Sequence, residues 1–141
     1  MLKNIPKELS PELLKVLAEM GHGDEIVIAD GNFPSQSLGQ RVVRADGHGG
    51  VKMLDAVLSV IPLDTYAKEN FVLMQVVKGD PVKPTIWDEY RKTASAKDPN
   101  VREGSEERFA FYERAKKAYA IVATGEGAIY ANIILKKGVI Q

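Results

Sequence analysis

Apolar runs alternate with segments of helical spacing along the chain, and this order predicts an α/β fold. Apolar runs of strand length cover residues 26–29, 42–45, 71–77, 119–124 and 132–135. The run at 71–77 has almost no polar face, which predicts a central strand that is covered on both sides. Because helical patterns lie between these runs, we expect residues 1–141 to form a single domain with a mixed β-sheet flanked by helices in three layers, αβα.

The first helix is the best defined by its capping residues. Ser10 is typical of an N-cap, Pro11 suits the first helical position, and Gly21 is typical of a helix end. Its apolar stripe at helical spacing consists of Leu13, Leu14 and Leu17. The sequence therefore predicts that His22 follows directly on a helix C-terminus.

Later helices are predicted from weaker signals. Thr85 and Asp88 have the spacing of a capping box, which predicts a helix start. A polar connection is expected over residues 95–104, and the last helix is expected to open at 105–107. The predicted inward face of that helix consists of Phe109, Tyr112 and Ala115.

Composition narrows the class of protein. Hydrophobic residues make up 45% of the 141 residues, as in ordinary globular proteins. The 19 basic and 19 acidic residues balance, which argues against a nucleic-acid or membrane-surface partner. Without cysteine, disulfides and thiolate chemistry are excluded. Because residues 1–6 lack a signal-peptide core and no run approaches the ~20 residues of a membrane span, a cytoplasmic location is expected.

The chain has two histidines, and His22 is the stronger candidate for chemistry. It lies between Gly21 and Gly23, next to helix-end carbonyls that favour a protonated imidazole. An imidazole gains or loses a proton near neutral pH, as a general acid or base must. The structural alternative is a capping histidine in a turn. His48, in a glycine-rich turn, is expected to be solvent-exposed.

Polar residues near predicted element ends supply the other candidates. Asp30 follows the run 26–29, at the carboxyl end where α/β sheets bind ligands, although turn formation explains it as well. Arg108 is predicted in a first helical turn, where a cation opposes the dipole, so nearby glutamates or a ligand oxygen must favour it. Tyr130 and Asn132 are two apart in the predicted last strand. They would share a face and offer a phenol and an amide to sugar hydroxyls, or form an ordinary polar edge.

We expect all four of these side chains to gather around His22 in one site. The residues alone leave three functions open: an enzyme that isomerises a sugar by proton transfer, a phosphocarrier with a phosphorylated histidine, and a sugar-binding module without turnover. The acidic Asp24 and Glu25 beside His22 count against the phosphocarrier. A small chain with short loops makes shallow pockets, so a site completed by a neighbouring subunit is also expected.

Four collinear segments carry a resemblance to a known family. They are SPELLKVLAEMGHGDE at 10–25, RADG at 44–47, RFAFYERA at 108–115 and YANIILKKGV at 130–139. With them the chain resembles the fucose mutarotase / ribose pyranase family over essentially its whole length, and most closely the fucose mutarotase branch. Residues 51–102 follow the family pattern less closely.

The resemblance implies an isomerase without a cofactor that interconverts the α and β anomers of L-fucose, with the pyranose and furanose forms of D-ribose as a further reaction. It implies that His22 is the general acid. It implies substrate-binding roles for Asp30, Arg108, Tyr130 and Asn132, and gives none to Trp87. It also implies a homo-oligomer of stacked pentameric rings, a decamer, with sites where subunits meet.

Overall fold

The computed structural model describes residues 1–141 and confirms the predicted three-layer α/β fold. One six-stranded mixed sheet has helices on both faces. The elements in chain order are α1 (Pro11–Glu19), β1 (Glu25–Ala29), α2 (Ser35–Leu38), β2 (Val42–Ala45), α3 (Gly50–Leu58), β3 (Phe71–Met74), α4 (Ile86–Lys97), β4 (Glu103–Glu106), α5 (Arg108–Lys117), β5 (Ala120–Thr124) and β6 (Ile133–Lys136). None of the helices combines the length and apolar character that crossing a membrane requires.

The strand directions give the sheet two chemically different edges. The strand order is β2-β5-β1-β6-β3-β4, and only β6 runs against the other five strands. The carboxyl ends of five strands therefore meet at one edge of the sheet, together with the chain that enters β6. We call this the carboxyl edge, and we call the opposite one the amino edge.

Alternating side chains of the strands form a core on each face of the sheet. Ile26 and Ile28 of β1 belong to the larger core, which α1, α3 and α4 cover. Val27 and Ala29 point the other way, into a smaller core that α5 closes with Phe111. This period of two is the expected strand pattern, and it explains why all four residues are fully buried.

The strand predicted at 71–77 is covered on both faces, as expected, but it is shorter and less central than predicted. β3 covers only residues 71–74 and is the second strand from one side of the sheet. The outermost strand on that side is β4, which begins within the segment predicted as a polar connection. Its residues, Glu103 to Glu106, are polar and alternate between exposed and half-buried, so no apolar run marks them. Backbone pairing with β3 holds this strand in place.

The predicted helix starts are correct for α1 and α4 and wrong for α5. The hydroxyl of Ser10 accepts a hydrogen bond from the Leu13 N–H at 3.1 Å, as predicted. α4 begins at Ile86, directly after Thr85, as predicted, although the Thr85 side chain makes no capping hydrogen bond. α5 begins one residue after Glu107, whose carboxylate accepts from two backbone N–H groups of the first turn. Phe109 of its predicted inward face is 63% exposed, and Phe111 is buried instead.

A stability test follows from the packing of α3 against α4. A methyl group on Gly50 would overlap the hydroxyl of the buried Tyr90. Gly50→Ala is therefore expected to lower the free energy of unfolding by about 1–3 kcal/mol, because a packed core must shift to admit it. Urea denaturation measures the change. Gly127→Ala is the control, since a Cβ there meets nothing within 4 Å; equal loss in both variants would contradict this packing.

Candidate active site

A small cavity of about 250 Å³ opens at the carboxyl edge of the sheet. Three of the predicted site residues line it, namely Asp30, Tyr130 and Asn132. The remaining lining residues are Asn32, Phe33, Met74, Asp80, Tyr112 and Ile129. The cavity thus combines carboxylate, phenol and amide groups with apolar walls, the mixture typical of small-molecule sites.

Asp30 is the most firmly held polar group of this cavity. Its side chain accepts hydrogen bonds from the backbone N–H groups of Asn32 at 3.0 Å and Ala131 at 3.2 Å. Its own N–H donates to Asn132 Oδ1 at 2.8 Å. Burial raises the pKa of Asp30, and the hydrogen bonds from Asn32 and Ala131 oppose that rise. The result is a fixed carboxylate with remaining acceptor capacity.

Tyr130 and Asn132 lie in the loop before β6, so the prediction that they share a face of the last strand is wrong. Tyr130 has a φ of 58°, a left-handed conformation that is incompatible with a strand. Its carbonyl accepts a hydrogen bond from Trp87 Nε1 at 2.8 Å, and its hydroxyl donates to Asp80 at 2.6 Å. Both predicted side chains nevertheless reach the same cavity.

Arg108 is the first residue of α5, as predicted, and its guanidinium is exposed to solvent. It forms no ion pair with Glu106 or Glu107. Its Nε donates instead to the hydroxyl of Tyr112 at 3.1 Å. Because Tyr112 lines the cavity, this bond places the guanidinium of Arg108 beside it.

His22 lies at the amino edge, and the prediction that the other site residues gather around it is wrong within one chain. His22 precedes the first residue of β1, and Asp30 follows the last one. Five strand residues span roughly 16 Å, at ~3.3 Å per residue. An extended strand bonded on both sides cannot fold back to bring the two side chains together.

Asp64 orients the imidazole of His22 at this edge. The distance from His22 Nε2 to Asp64 Oδ1 is 2.9 Å, and no hydrogen bond within the chain engages Nδ1. The Asp64 side chain is only 4% exposed, whereas that of His22 is 45% exposed. Backbone N–H groups of Tyr66 and Ala67 also donate to Asp64. A buried carboxylate behind a half-exposed imidazole is an arrangement suited to general acid–base catalysis.

The sequence interpretation missed four residues that the structure places at these two sites. Asp64, Asp80 and Trp87 were given no role, and Tyr112 was assigned to the core. Only Asp64 carried a usable signal, because it follows the apolar run 60–63 much as Asp30 follows 26–29. The other three depend on loop geometry that local patterns do not encode. No group of three or more His, Cys, Asp or Glu side chains is arranged to bind a metal ion.

The fold and the cavity define a class of α/β proteins with a compact polar site at the carboxyl edge of a mixed sheet. The chain belongs to the RbsD / FucU transport protein family, whose sequence profile matches residues 3–140. It is 49% identical to an L-fucose mutarotase of Histophilus somni and 51% identical to a fucose mutarotase of Bos taurus, covering 99% of this chain and 97% and 95% of theirs. A crystal structure of the fucose mutarotase of Streptococcus pneumoniae in complex with L-fucose superimposes with a TM-score of 0.94 at 51% identity, covering 99% of this chain and 100% of that chain.

The charge state of Asp64 predicts how stability depends on pH. Burial by itself would raise the pKa of Asp64, but hydrogen bonds from His22, Tyr66 and Ala67 outweigh it and lower the pKa. A lowered pKa means that the ionised carboxylate stabilises the fold above the unfolded value of about 4. This contribution is lost as the pH falls through the lower folded-state pKa.

Asp64→Asn is therefore expected to reduce the free energy of unfolding by about 1–3 kcal/mol near pH 7, since it removes a buried hydrogen-bond acceptor. The difference from wild type should shrink at pH 3, because the unfolded wild-type chain, whose carboxyl has its usual pKa of about 4, then binds a proton that the folded state resists. Urea denaturation at both pH values measures it. Asp88→Asn, at a side chain 86% exposed, is the control and should change little. An equal loss of unfolding free energy at both pH values would contradict a stabilising role for the ionised Asp64 carboxylate.

Proposed function

We propose that this chain is an L-fucose mutarotase, a cofactor-independent isomerase that interconverts the α and β anomers of L-fucose through one mutarotase-like domain at residues 1–141. One observation carries the proposal: a buried carboxylate, an amide and a phenol converge on one small cavity in a chain about half identical to full-length fucose mutarotases. These groups are the usual partners of sugar hydroxyls.

The complete site is proposed to form between two copies of the chain. The cavity with Asp30, Tyr130 and Asn132 lies at the carboxyl edge, and His22 lies at the amino edge. Within one chain the rigid strand β1 keeps them apart. Docking of the amino edge of one copy onto the carboxyl edge of the next would bring His22 of the partner subunit to the cavity.

Such a contact joins two different surfaces and therefore generates a ring when the rotation closes. Exposed apolar side chains occur at both edges, as expected for surfaces that become buried on assembly: Tyr66 beside His22 is 71% exposed, and Ile129 beside the cavity is 46% exposed. This supports association of copies through these two edges. The number of subunits comes from the family resemblance alone, and on that basis we propose pentameric rings that stack into a decamer.

The reaction is a proton transfer on a cyclic hemiacetal. Protonated His22 gives its proton to the ring oxygen, and the bond between that oxygen and the anomeric carbon breaks. The anomeric hydroxyl loses its proton to an acceptor, and its oxygen becomes the carbonyl. Tyr130 and a bound water are the candidates from the sequence; because the Tyr130 phenol keeps its own proton and directs it at Asp80, we assign this role to a bound water. Rotation about the carbonyl carbon and reclosure by the reverse transfers give the other anomer.

Each remaining residue has a defined part in this scheme. Asp30 accepts a hydrogen bond from a sugar hydroxyl, and Asn132 and Tyr130 fix others. Arg108 stabilises negative charge that develops on the anomeric oxygen. Asp64 holds His22 in position. One well-placed acid–base group supplies roughly 10²–10⁴ in rate, about 3–5 kcal/mol of barrier, and that is enough for a reaction that already proceeds in water.

His22→Gln tests the acid directly. Anomer exchange is expected to fall at least 100-fold, because glutamine cannot transfer the proton, while L-fucose still binds at the cavity. Saturation-transfer NMR on the two anomeric protons measures exchange, and calorimetry measures binding. His48→Gln, at the other histidine of the chain, is the matched control and should exchange at the wild-type rate. Undiminished exchange in His22→Gln would remove this residue from the mechanism.

Mixed oligomers test whether two copies share a site. His22→Gln and Asp30→Asn subunits, each inactive alone, are refolded together in equal amounts. Random mixing gives an intact site at roughly a quarter of head-to-tail contacts, so about a quarter of wild-type exchange should return. Replacing the Asp30→Asn subunit by the His22→Gln/Asp30→Asn double variant is the control and should restore nothing. No recovery in the first mixture would contradict the shared site.

The pyranose and furanose forms of D-ribose are a second candidate reaction, and exchange rates for L-fucose and D-ribose measured side by side would rank the two sugars. A non-catalytic sugar-binding module would instead bind L-fucose and leave both exchange rates unaltered. We also propose that the enzyme works in the cytoplasm, as expected from the sequence.

A further inference from the structure

Asp80 lies in the loop between β3 and α4, and neither the sequence interpretation nor the mechanism above gives it a role. Its Oδ2 accepts a 2.6 Å hydrogen bond from the Tyr130 hydroxyl. Its Oδ1 accepts from the Val82 N–H at 3.0 Å. No lysine or arginine of the chain forms an ion pair with it. The carboxylate therefore has one strong partner, the phenol that lines the same cavity.

This bond fixes which hydrogen-bonding role Tyr130 can play toward a ligand. A phenol has one proton to donate and otherwise accepts hydrogen bonds through its oxygen. When the proton is directed at Asp80, the oxygen offers only lone pairs to the cavity. The only other hydrogen bond to that oxygen within the chain is a long one of 3.4 Å from the Val77 N–H, which leaves acceptor capacity free.

The backbone holds Tyr130 equally firmly. A φ of 58° is unfavourable for a residue with a side chain and persists only where neighbouring groups enforce it. Trp87 Nε1 donates to the Tyr130 carbonyl at 2.8 Å, and Asp80 binds its hydroxyl at the other end. Both ends of the residue are therefore fixed, one by the first turn of α4 and the other by the loop between β3 and α4.

We propose that Asp80 is a positioning residue that makes Tyr130 an obligate acceptor for one sugar hydroxyl and thereby helps to select the substrate. Asp30 is the second acceptor in the cavity, so the site requires sugars with two free hydroxyl donors in the matching places. A deoxy or O-methyl sugar at the position that faces Tyr130 would lose this bond. This inference rests on the proposed function, because it concerns how the same cavity recognises L-fucose.

The electrostatics of the pair agree with this assignment. The hydrogen bond from Tyr130 lowers the pKa of Asp80, and the same bond raises the pKa of Tyr130. The pair therefore remains a phenol and a carboxylate throughout the neutral range. The direction of the hydrogen bond, from Tyr130 to Asp80, is accordingly fixed at the pH where the enzyme works.

Asp80→Asn tests the assignment by reversing the direction of the hydrogen bond between residue 80 and the Tyr130 phenol. Asparagine has a single carbonyl acceptor, which the Val82 N–H can occupy, so its NH₂ group faces Tyr130 and the phenol must direct its proton into the cavity. The KM for L-fucose is expected to rise about tenfold, the effect of one lost hydrogen bond, with kcat changed by less than about threefold. Asp80→Ser, which preserves a turn acceptor for the Val82 N–H but is too short to reach the phenol, should raise KM similarly.

A double-mutant cycle with Tyr130→Phe separates this role from a purely structural one. If Asp80 acts through the phenol, Asp80→Asn should have no further effect on KM in the Tyr130→Phe background. Equal effects in both backgrounds, an unchanged KM in Asp80→Asn, or a loss confined to kcat would each overturn the proposal. Asp88→Asn serves as the surface control, and thermal melting by circular dichroism verifies that each variant folds.

Measurements on the wild-type protein distinguish a failure of the proposed mutarotase function from a failure of the proposed role of Asp80. Absence of wild-type anomer exchange would contradict the mutarotase function. In that case the cycle is measured on the dissociation constant of L-fucose by calorimetry, and the same non-additivity is required. Wild-type exchange together with additive variants would contradict only the role of Asp80.

Discussion

The backbone pairing of β1 is the constraint on which the whole arrangement depends. This strand is bonded to β5 in parallel and to β6 in antiparallel register, and all of its apolar residues are buried. It is therefore a rigid spacer between His22 at one edge and Asp30 at the other. In the proposed mechanism these two edges are half-sites of one active site, and each is incomplete alone. Association of copies through unlike edges is the simplest way to unite them.

Each half-site is organised before any partner or sugar arrives. At the amino edge, the buried Asp64 carboxylate fixes the imidazole of His22. At the carboxyl edge, hydrogen bonds among Asp30, Ala131 and Asn132 tie the loop before β6 to the end of β1. Groups fixed in this way need little reorganisation on binding, which is how a small site obtains orientation at low entropic cost.

The sequence predicted the parts of the structure that local patterns encode. Continuous apolar runs located the strands that are buried in the sheet, and Ser10 located the start of α1. β4 was missed because an outer strand of polar residues has no apolar signature. The family resemblance proposed a set of site residues, but it did not show where these residues lie relative to one another. His22 and Asp30 are only eight positions apart in the sequence, but the extended strand β1 lies between them and places them at opposite edges of the sheet.

The most direct test of the shared site is a crystal structure of the assembled protein with L-fucose bound. We predict that the sugar lies in the cavity lined by Asp30 and Tyr130 of one copy, with the imidazole of His22 from the adjacent copy within about 3 Å of the ring oxygen. A bound sugar with every His22 facing solvent or another surface would contradict the account.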